Sequence, residues 1–312
     1  MLTIIVTILP VFLIIAAGFG AGRKELLGEG ASRIINRYVI FLALPCLMFD
    51  IVATTDWKAL WEPGFAIASV GGSLALFAAG LAVSRLRGLP VADMAVDGLN
   101  ASYSNAAYIG LPLLTLVMGD AVRPFVTVAA TLTLMTLFVL GSIMIELGHN
   151  HGHGVGRALA HAGIGAIRNP IIAGTVAGFL WWLSGLQLPA PAARFVAMLG
   201  NTASPCALVG IGLFLAMRPI GHAFTNPFAL ALSGLKLAVH PLITWGIVSM
   251  MPGISPLAAT SAILVAALPT GTGPFMVSEY YARDGSVTSA TILVSTVLSI
   301  LSVAAILSVT PH

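Results

Sequence analysis

Two short stretches hold most of the polar chemistry in an otherwise apolar chain. The first reads Asn100-Ala101-Ser102-Tyr103-Ser104-Asn105-Ala106-Ala107-Tyr108-Ile109-Gly110-Leu111-Pro112, and the second Leu268-Pro269-Thr270-Gly271-Thr272-Gly273-Pro274. Proline removes a helical hydrogen bond and glycine weakens a helix, so each stretch should interrupt one. The N–H groups freed where a half-helix restarts can face a carboxylate, helped by the local dipole. The candidate binding residues are Ser102, Ser104, Asn105, Tyr108, Gly110 and Pro112 from the first stretch. Pro269, Gly271, Thr272 and Gly273 are those of the second. The plainer alternative is a pair of proline-kinked helices whose small residues serve only close packing. Two breaks with clustered amides and hydroxyls favour a site.

A third candidate is a cation. Lys236 interrupts the apolar run 228–248 near its middle, and a charge at membrane depth is costly enough to suggest a function. His240 follows at i+4, on the same helix face. The competing reading is a lysine that snorkels to the interface. Asn201, close to Pro205, is a weaker candidate, since a structural kink explains it equally well. His149, His151 and His153 alternate in a glycine-rich loop, but no fourth ligand is evident and a solvated loop is the default. Asp50 and Glu279 fall near segment ends, and no carboxylate stands out at mid-membrane depth. Neither a hydrolase triad order nor a phosphate-binding loop occurs, so neither an enzyme nor a cofactor is expected.

Lipid must surround the elements that position these residues. The 312 residues are 58% hydrophobic and 8% charged, against roughly 25% charged in soluble domains. Cys46 and Cys206 both lie in apolar runs and imply no disulfide framework. No basic tract with interleaved aromatics is present, which argues against nucleic acid as a partner. The apolar run 1–19 lacks a basic leader and is followed by Arg23 and Lys24, so it reads as a first membrane helix.

Ten segments are long and apolar enough to span a bilayer: 2–21, 34–54, 61–83, 93–118, 121–147, 164–186, 194–217, 223–250, 255–282 and 286–309. Ten Lys or Arg residues fall in the odd-numbered loops, against Lys58, Arg123 and Arg194 in the even ones. That asymmetry puts the odd loops in the cytoplasm and both termini outside. Pro10 and Pro45 are 35 residues apart, as are Pro170 and Pro205, and Pro112 corresponds to Pro269 in the same way. Five helices per half is an odd number, so the second half should enter the membrane inverted. The expected organisation is a five-helix repeat over 1–147, a cytoplasmic linker over 148–168 and an inverted repeat over 169–312. The two polar stretches then interrupt matching helices, the fourth and the ninth.

Several of these motifs resemble the auxin efflux carrier family, over most of the chain. Ser104-Asn105 followed by Gly110-Leu111-Pro112-Leu113-Leu114 is similar to the family's fourth-helix signature. Ala267-Leu268-Pro269, Gly271, Pro274-Phe275 and Glu279-Tyr280 resemble the ninth. Arg168-Asn169-Pro170 and Ile211-Gly212-Leu213-Phe214-Leu215-Ala216 match two further family segments. The resemblance implies an all-α membrane protein of two inverted five-helix repeats, with helices 4 and 9 unwinding and crossing at a central site. It further implies a scaffold of helices 1, 2, 6 and 7 and a mobile transport domain of helices 3, 4, 5, 8, 9 and 10. Asn105, Pro112 and Pro269 match family positions. Ser104 stands where plant exporters carry proline, and the long central loop of those exporters is missing. Both departures point to a bacterial organic-acid carrier.

The expected function is elevator-type transport of a small mono- or dicarboxylate, malonate-like, across a bacterial inner membrane. H+ or Na+ is the candidate coupling ion, and a homodimer is expected by analogy only. The alternatives are a sodium-coupled symporter of the bile-acid-carrier type and, further off, an intramembrane sensor or enzyme.

Overall fold

The computed structural model describes residues 2–54, 62–149, 170–217 and 221–309. The described residues are helical almost throughout. The helices run α1 (Leu2–Arg23), α2 (Ala31–Tyr38), α3 (Leu44–Thr54), α4 (Pro63–Leu86), α5 (Val91–Ser102), α6 (Leu111–Met118), α7 (Arg123–Thr133) and α8 (Val139–His149). They continue as α9 (Pro170–Ser184), α10 (Ala190–Gly200), α11 (Ala203–Ala216), α12 (Gly221–Thr225), α13 (Pro227–Gly234), α14 (His240–Ser249), α15 (Pro256–Ala267), α16 (Gly273–Tyr280) and α17 (Ser286–Val309). Except for Gly148 and His149, the expected linker lies outside the described residues, as do His151 and His153.

Six stretches among the described residues are long and apolar enough to cross a membrane: Ala31–Thr54, Pro63–Leu86, Asp120–Gly148, Ala190–Ala216, Pro227–Ser249 and Ser286–Ser308. Exposed Phe41, Trp245 and Leu301 on these stretches, and Leu13 and Leu180 on α1 and α9, give the bundle an apolar outer surface. This is an integral membrane protein.

Proline sets much of the local geometry. The π-helical turns Val39–Ala43, Ala106–Gly110 and Leu235–Val239 each end two residues before a proline, at Pro45, Pro112 and Pro241. A proline lacks the N–H that the preceding turn would bond, and a widened turn is one way to absorb the gap. Other starts are capped by side chains. Asn226 accepts from the N–H groups of Phe228 and Ala229 before α13, and Ser255 accepts from Ala258 N–H before α15.

Glycine lets two helix pairs approach closely. In the contact between α1 and α11, a Cβ on Gly212 would lie 2.2 Å from the Ile15 carbonyl oxygen. Between α3 and α9, a Cβ on Gly174 would lie 2.4 Å from the Pro45 carbonyl oxygen. Neither position has room for a larger residue, and backbone contact of this kind is how helices associate where no hydrophobic force separates protein from solvent.

The expected fourth and ninth segments are each two helices with a break between them. α5 ends at Ser102, and the chain runs extended through Tyr103 (φ −77°, ψ 100°) before turning helical again at Ala106. α15 ends at Ala267, and α16 begins at Gly273. A buried apolar core that includes Ile109, Leu113, Leu264 and Leu268 packs around both.

Candidate functional site

The two breaks are hydrogen-bonded to each other. Ser104 and Thr270 face one another as a single antiparallel bridge. On one side Asn105 N–H donates to the Pro269 carbonyl at 2.9 Å, and on the other Gly271 N–H donates to the Tyr103 carbonyl at 2.9 Å. Thr270 adds its hydroxyl to the Asn100 carbonyl at 2.8 Å and takes its own backbone N–H to Ser295 Oγ at 3.1 Å. Backbone groups that would otherwise be bare in an apolar setting are paired across the crossing, as burial requires.

Beside this bridge lies a narrow cavity of about 30 Å³. Its polar wall is Tyr103, Ser104, Asn105, Gly271, Thr272 and Gly273. Leu44, Leu47 and Ile51 of α3, Ala130 of α7 and Leu134 and Phe138 just after it close it with apolar surface. Among the described residues, no Asp, Glu, Lys, Arg or His lines it. The turn that starts at Ala106 and the helix that starts at Gly273 both begin on this cavity. First-turn N–H groups have no acceptor within their own helix, and the dipole at each start favours negative charge. Ser104 Oγ and Asn105 Oδ1 are buried there without a hydrogen-bond partner.

Of the residues selected from the sequence, Ser104, Asn105, Gly271, Thr272 and Gly273 meet at this cavity. The others have different settings. Ser102 donates back to the Gly98 carbonyl at 2.8 Å within its own helix. Gly110 serves packing, since a Cβ there would lie 2.5 Å from Leu268 Cδ1. The side chains of Tyr108 and Pro112 lie outside the described residues. Pro269 contributes its carbonyl to the bridge. Asn201 is exposed in the turn between α10 and α11 and does not line the cavity.

Lys236 is fully buried, and its position does not match a snorkelling side chain. Its ammonium donates to the carbonyls of Ala266 at 2.6 Å and Leu268 at 2.7 Å. A cation at the last carbonyls of a helix complements the negative end of the dipole. Lys236 therefore holds the end of α15 and does not line the cavity. His240 is also buried, with Nε2 3.5 Å from Ser73 Oγ and Nδ1 without a partner. It faces α4, where a Cβ on Gly72 would come 3.6 Å from its Cδ2.

Two contributors escaped the sequence reading. Tyr103 lies flat against the second break: a Cβ on Gly271 would sit 2.9 Å from its ring, and one on Gly273 2.6 Å. The Gly-x-Gly spacing is the signal that could have pointed to a flat neighbour. Asp97 is buried within α5 and bonded to Ser84, Arg87 and Asn100.

A family model described as "Membrane transport protein" matches residues 3–307. The chain belongs to the auxin efflux carrier family. This family member is 29% identical over 309 residues to the "Putative malonate transporter" of Rhizobium meliloti, covering 96% of this chain and 93% of that one. It is 25% identical over 300 residues to an "Uncharacterized transporter" of Methanothermobacter thermautotrophicus, covering 95% of each. The "Probable auxin efflux carrier component 1b" of Oryza sativa shares 30% identity over 119 residues, which is 37% of this chain and 21% of the plant protein.

Proposed function

We propose that this transporter is a secondary carrier of a small organic anion, a mono- or dicarboxylate of malonate's size, working by elevator-type alternating access. The observation that carries this reading is the convergence of two helix starts on one cavity beside unpartnered Ser104 and Asn105. A carboxylate there would accept from the Ser104 hydroxyl, Asn105 Nδ2 and first-turn N–H groups. The apolar walls would suit a short carbon chain. Lys236 would act as a fixed countercharge behind the site rather than as a direct ligand.

The cavity's size supports a moving part. About 30 Å³ holds a water or two, too little for a carboxylic acid. One wall belongs to α3, in the proposed scaffold, and the rest to the proposed transport domain, so sliding one past the other would open it. The inverted repeat, 1–147 against 169–312, finds support in the paired contacts. α1 packs on α11 as α9 packs on α3, the exchange of partners that a two-fold relation between halves requires. The loop charges favour both termini outside the cytoplasm, and the bacterial relative favours an inner membrane.

Purified protein in liposomes should take up labelled malonate saturably, and Asn105→Ala should weaken that uptake. Parallel assays with pH and sodium gradients identify the driving ion. If neither malonate nor any other short mono- or dicarboxylate enters under either gradient, the proposal fails.

A further inference from the structure

A buried carboxylate lies on the same helix as the first break, two turns before it. Asp97 projects from α5 with its side chain 6% exposed. It borders a cavity of about 380 Å³ lined also by Arg87, Asp93, Arg283 and Asp284. Two of the three aspartates at this cavity, Asp93 and Asp97, are held differently. Asp93 is gripped at both oxygens by Arg283, whose Nε and Nη2 donate at 2.6 and 2.5 Å. A two-armed pair of this kind fixes the charge. Asp97 is held mainly at one oxygen: Oδ2 accepts from Arg87 Nη1 at 2.6 Å and from Ser84 Oγ at 2.8 Å. Its other oxygen, Oδ1, has only the Asn100 amide nitrogen, at 3.4 Å.

Asn100 is the second observation. It is fully buried, and its Nδ2 also donates to Thr288 Oγ1 at 3.0 Å, while its Oδ1 has no donor at all. A proton on Asp97 Oδ1 would supply an O–H to that acceptor once the amide turned over, with the Thr288 hydroxyl then donating to it. The amide would exchange its partners, and because the backbone carbonyl of the same residue accepts from Thr270 Oγ1, any accompanying shift of Asn100 would reach the crossing.

We propose that Asp97 is the proton-carrying residue of this transporter, with Asn100 as the positioning residue that links its protonation to the crossing. The inference rests on the reading of the protein as a carrier. In the step, water in the cavity delivers H+ to Asp97 Oδ1, the carboxylate becomes a neutral acid, and the Arg87 guanidinium keeps its charge. Arg87 is partly exposed and stacks on Phe228, 3.9 Å from the ring centre, so it retains partners when Asp97 is neutral. A metal cation is a poorer occupant. Asp97 Oδ1, Asn100 Oδ1 and Thr288 Oγ1 are three oxygens, short of the roughly six a hard cation takes.

The charged groups around Asp97 come from several elements. α4 and its end contribute Arg87, and α5 itself Asp93. The loop before α17 contributes Arg283 and Asp284. Among the other helices packed on α5, α8 carries Glu146 and α16 carries Glu279, while the turn before α14 carries Lys236, whose ammonium is bonded to the end of α15.

Infrared spectroscopy of the reconstituted protein tests this without a substrate. On acidification the wild type should gain a carboxylic-acid carbonyl band that Asp97→Glu shifts, Asp97→Asn removes and Asp93→Asn leaves in place. A band that persists in Asp97→Asn, or no band in the wild type, overturns the proposal. In liposomes, Asp97→Asn should lower malonate accumulation driven by a pH gradient by about tenfold while leaving malonate exchange at equal pH intact. Loss of both would make Asp97 a structural ion pair and overturn its coupling role. Should wild-type protein fail to move malonate, the substrate reading is struck, and the infrared result still decides the proton site.

Discussion

The break at 103–105 and the break at 268–272 solve one geometric problem with different chemistry. Each leaves a helix end and a helix start in an apolar interior, and each pairs its backbone with the other through the Ser104–Thr270 bridge. The carbonyls they strand are satisfied unequally. At the end of α5, the Asn100 carbonyl takes a threonine hydroxyl. At the end of α15, two carbonyls take the Lys236 ammonium and a third, that of Ala267, takes Ser302 Oγ at 3.1 Å. On the proposed repeat, the positions matching Lys236 fall at 76–79, where the chain reads Leu-Phe-Ala-Ala with no cation. The asymmetry teaches that the two breaks share a shape but divide the labour: the second break is locked by charge, and the first keeps its polar side chains, Ser104 and Asn105, for the cavity.

Removing the lock should have the largest effect. Lys236→Met strands the Ala266 and Leu268 carbonyls at about 1–3 kcal/mol each, read as a lower melting temperature in detergent. Lys236→Arg, which retains donors and charge, should recover part of that stability. If Met is tolerated at wild-type stability, the comparison between the breaks collapses. Next comes Gly273→Ala, whose new Cβ meets the Tyr103 ring at 2.6 Å. Overpacking there should cost about 1–3 kcal/mol, and Tyr103→Leu should relieve part of it in the double variant. An unaffected Gly273→Ala would mean the ring is free to move aside.

Asn105→Ala sharpens the contrast from the other side. Its backbone N–H still bonds Pro269, so stability should change little, while carboxylate affinity should fall by about 1–3 kcal/mol in a binding titration. A large loss of stability with unchanged affinity would make Asn105 a brace like Lys236. The smallest effect is expected for Thr270→Val, which removes one hydroxyl donor to the Asn100 carbonyl, worth about 0.5–1.5 kcal/mol in a melt.

Much of this was legible in the sequence. Composition identified a membrane protein, and the proline and glycine clusters located both breaks, because those residues act on the backbone directly. Ser104, Asn105 and Gly271–Gly273 were found for the same reason. The apolar cavity walls were not, since Leu44, Leu134 and Phe138 differ in no local feature from other residues of apolar helices. Lys236 was recognised as costly, but its acceptors are carbonyls 30 and 32 residues away, and backbone partners leave no trace in a residue pattern. Asp97 was passed over because Arg87, only ten residues before it, makes the segment look like a charged loop edge.

The central claim is that a carboxylate binds at the crossing of the two breaks. Ala107 lines the cavity and is half-buried, so a single cysteine placed there, with Cys46 and Cys206 replaced by serine, reports occupancy through its rate of thiol modification. Malonate, or whichever short carboxylate the reconstituted protein proves to transport, should slow that rate in a saturable way, and its neutral diamide should not. Modification at an unchanged rate under saturating, actively transported carboxylate would contradict the account.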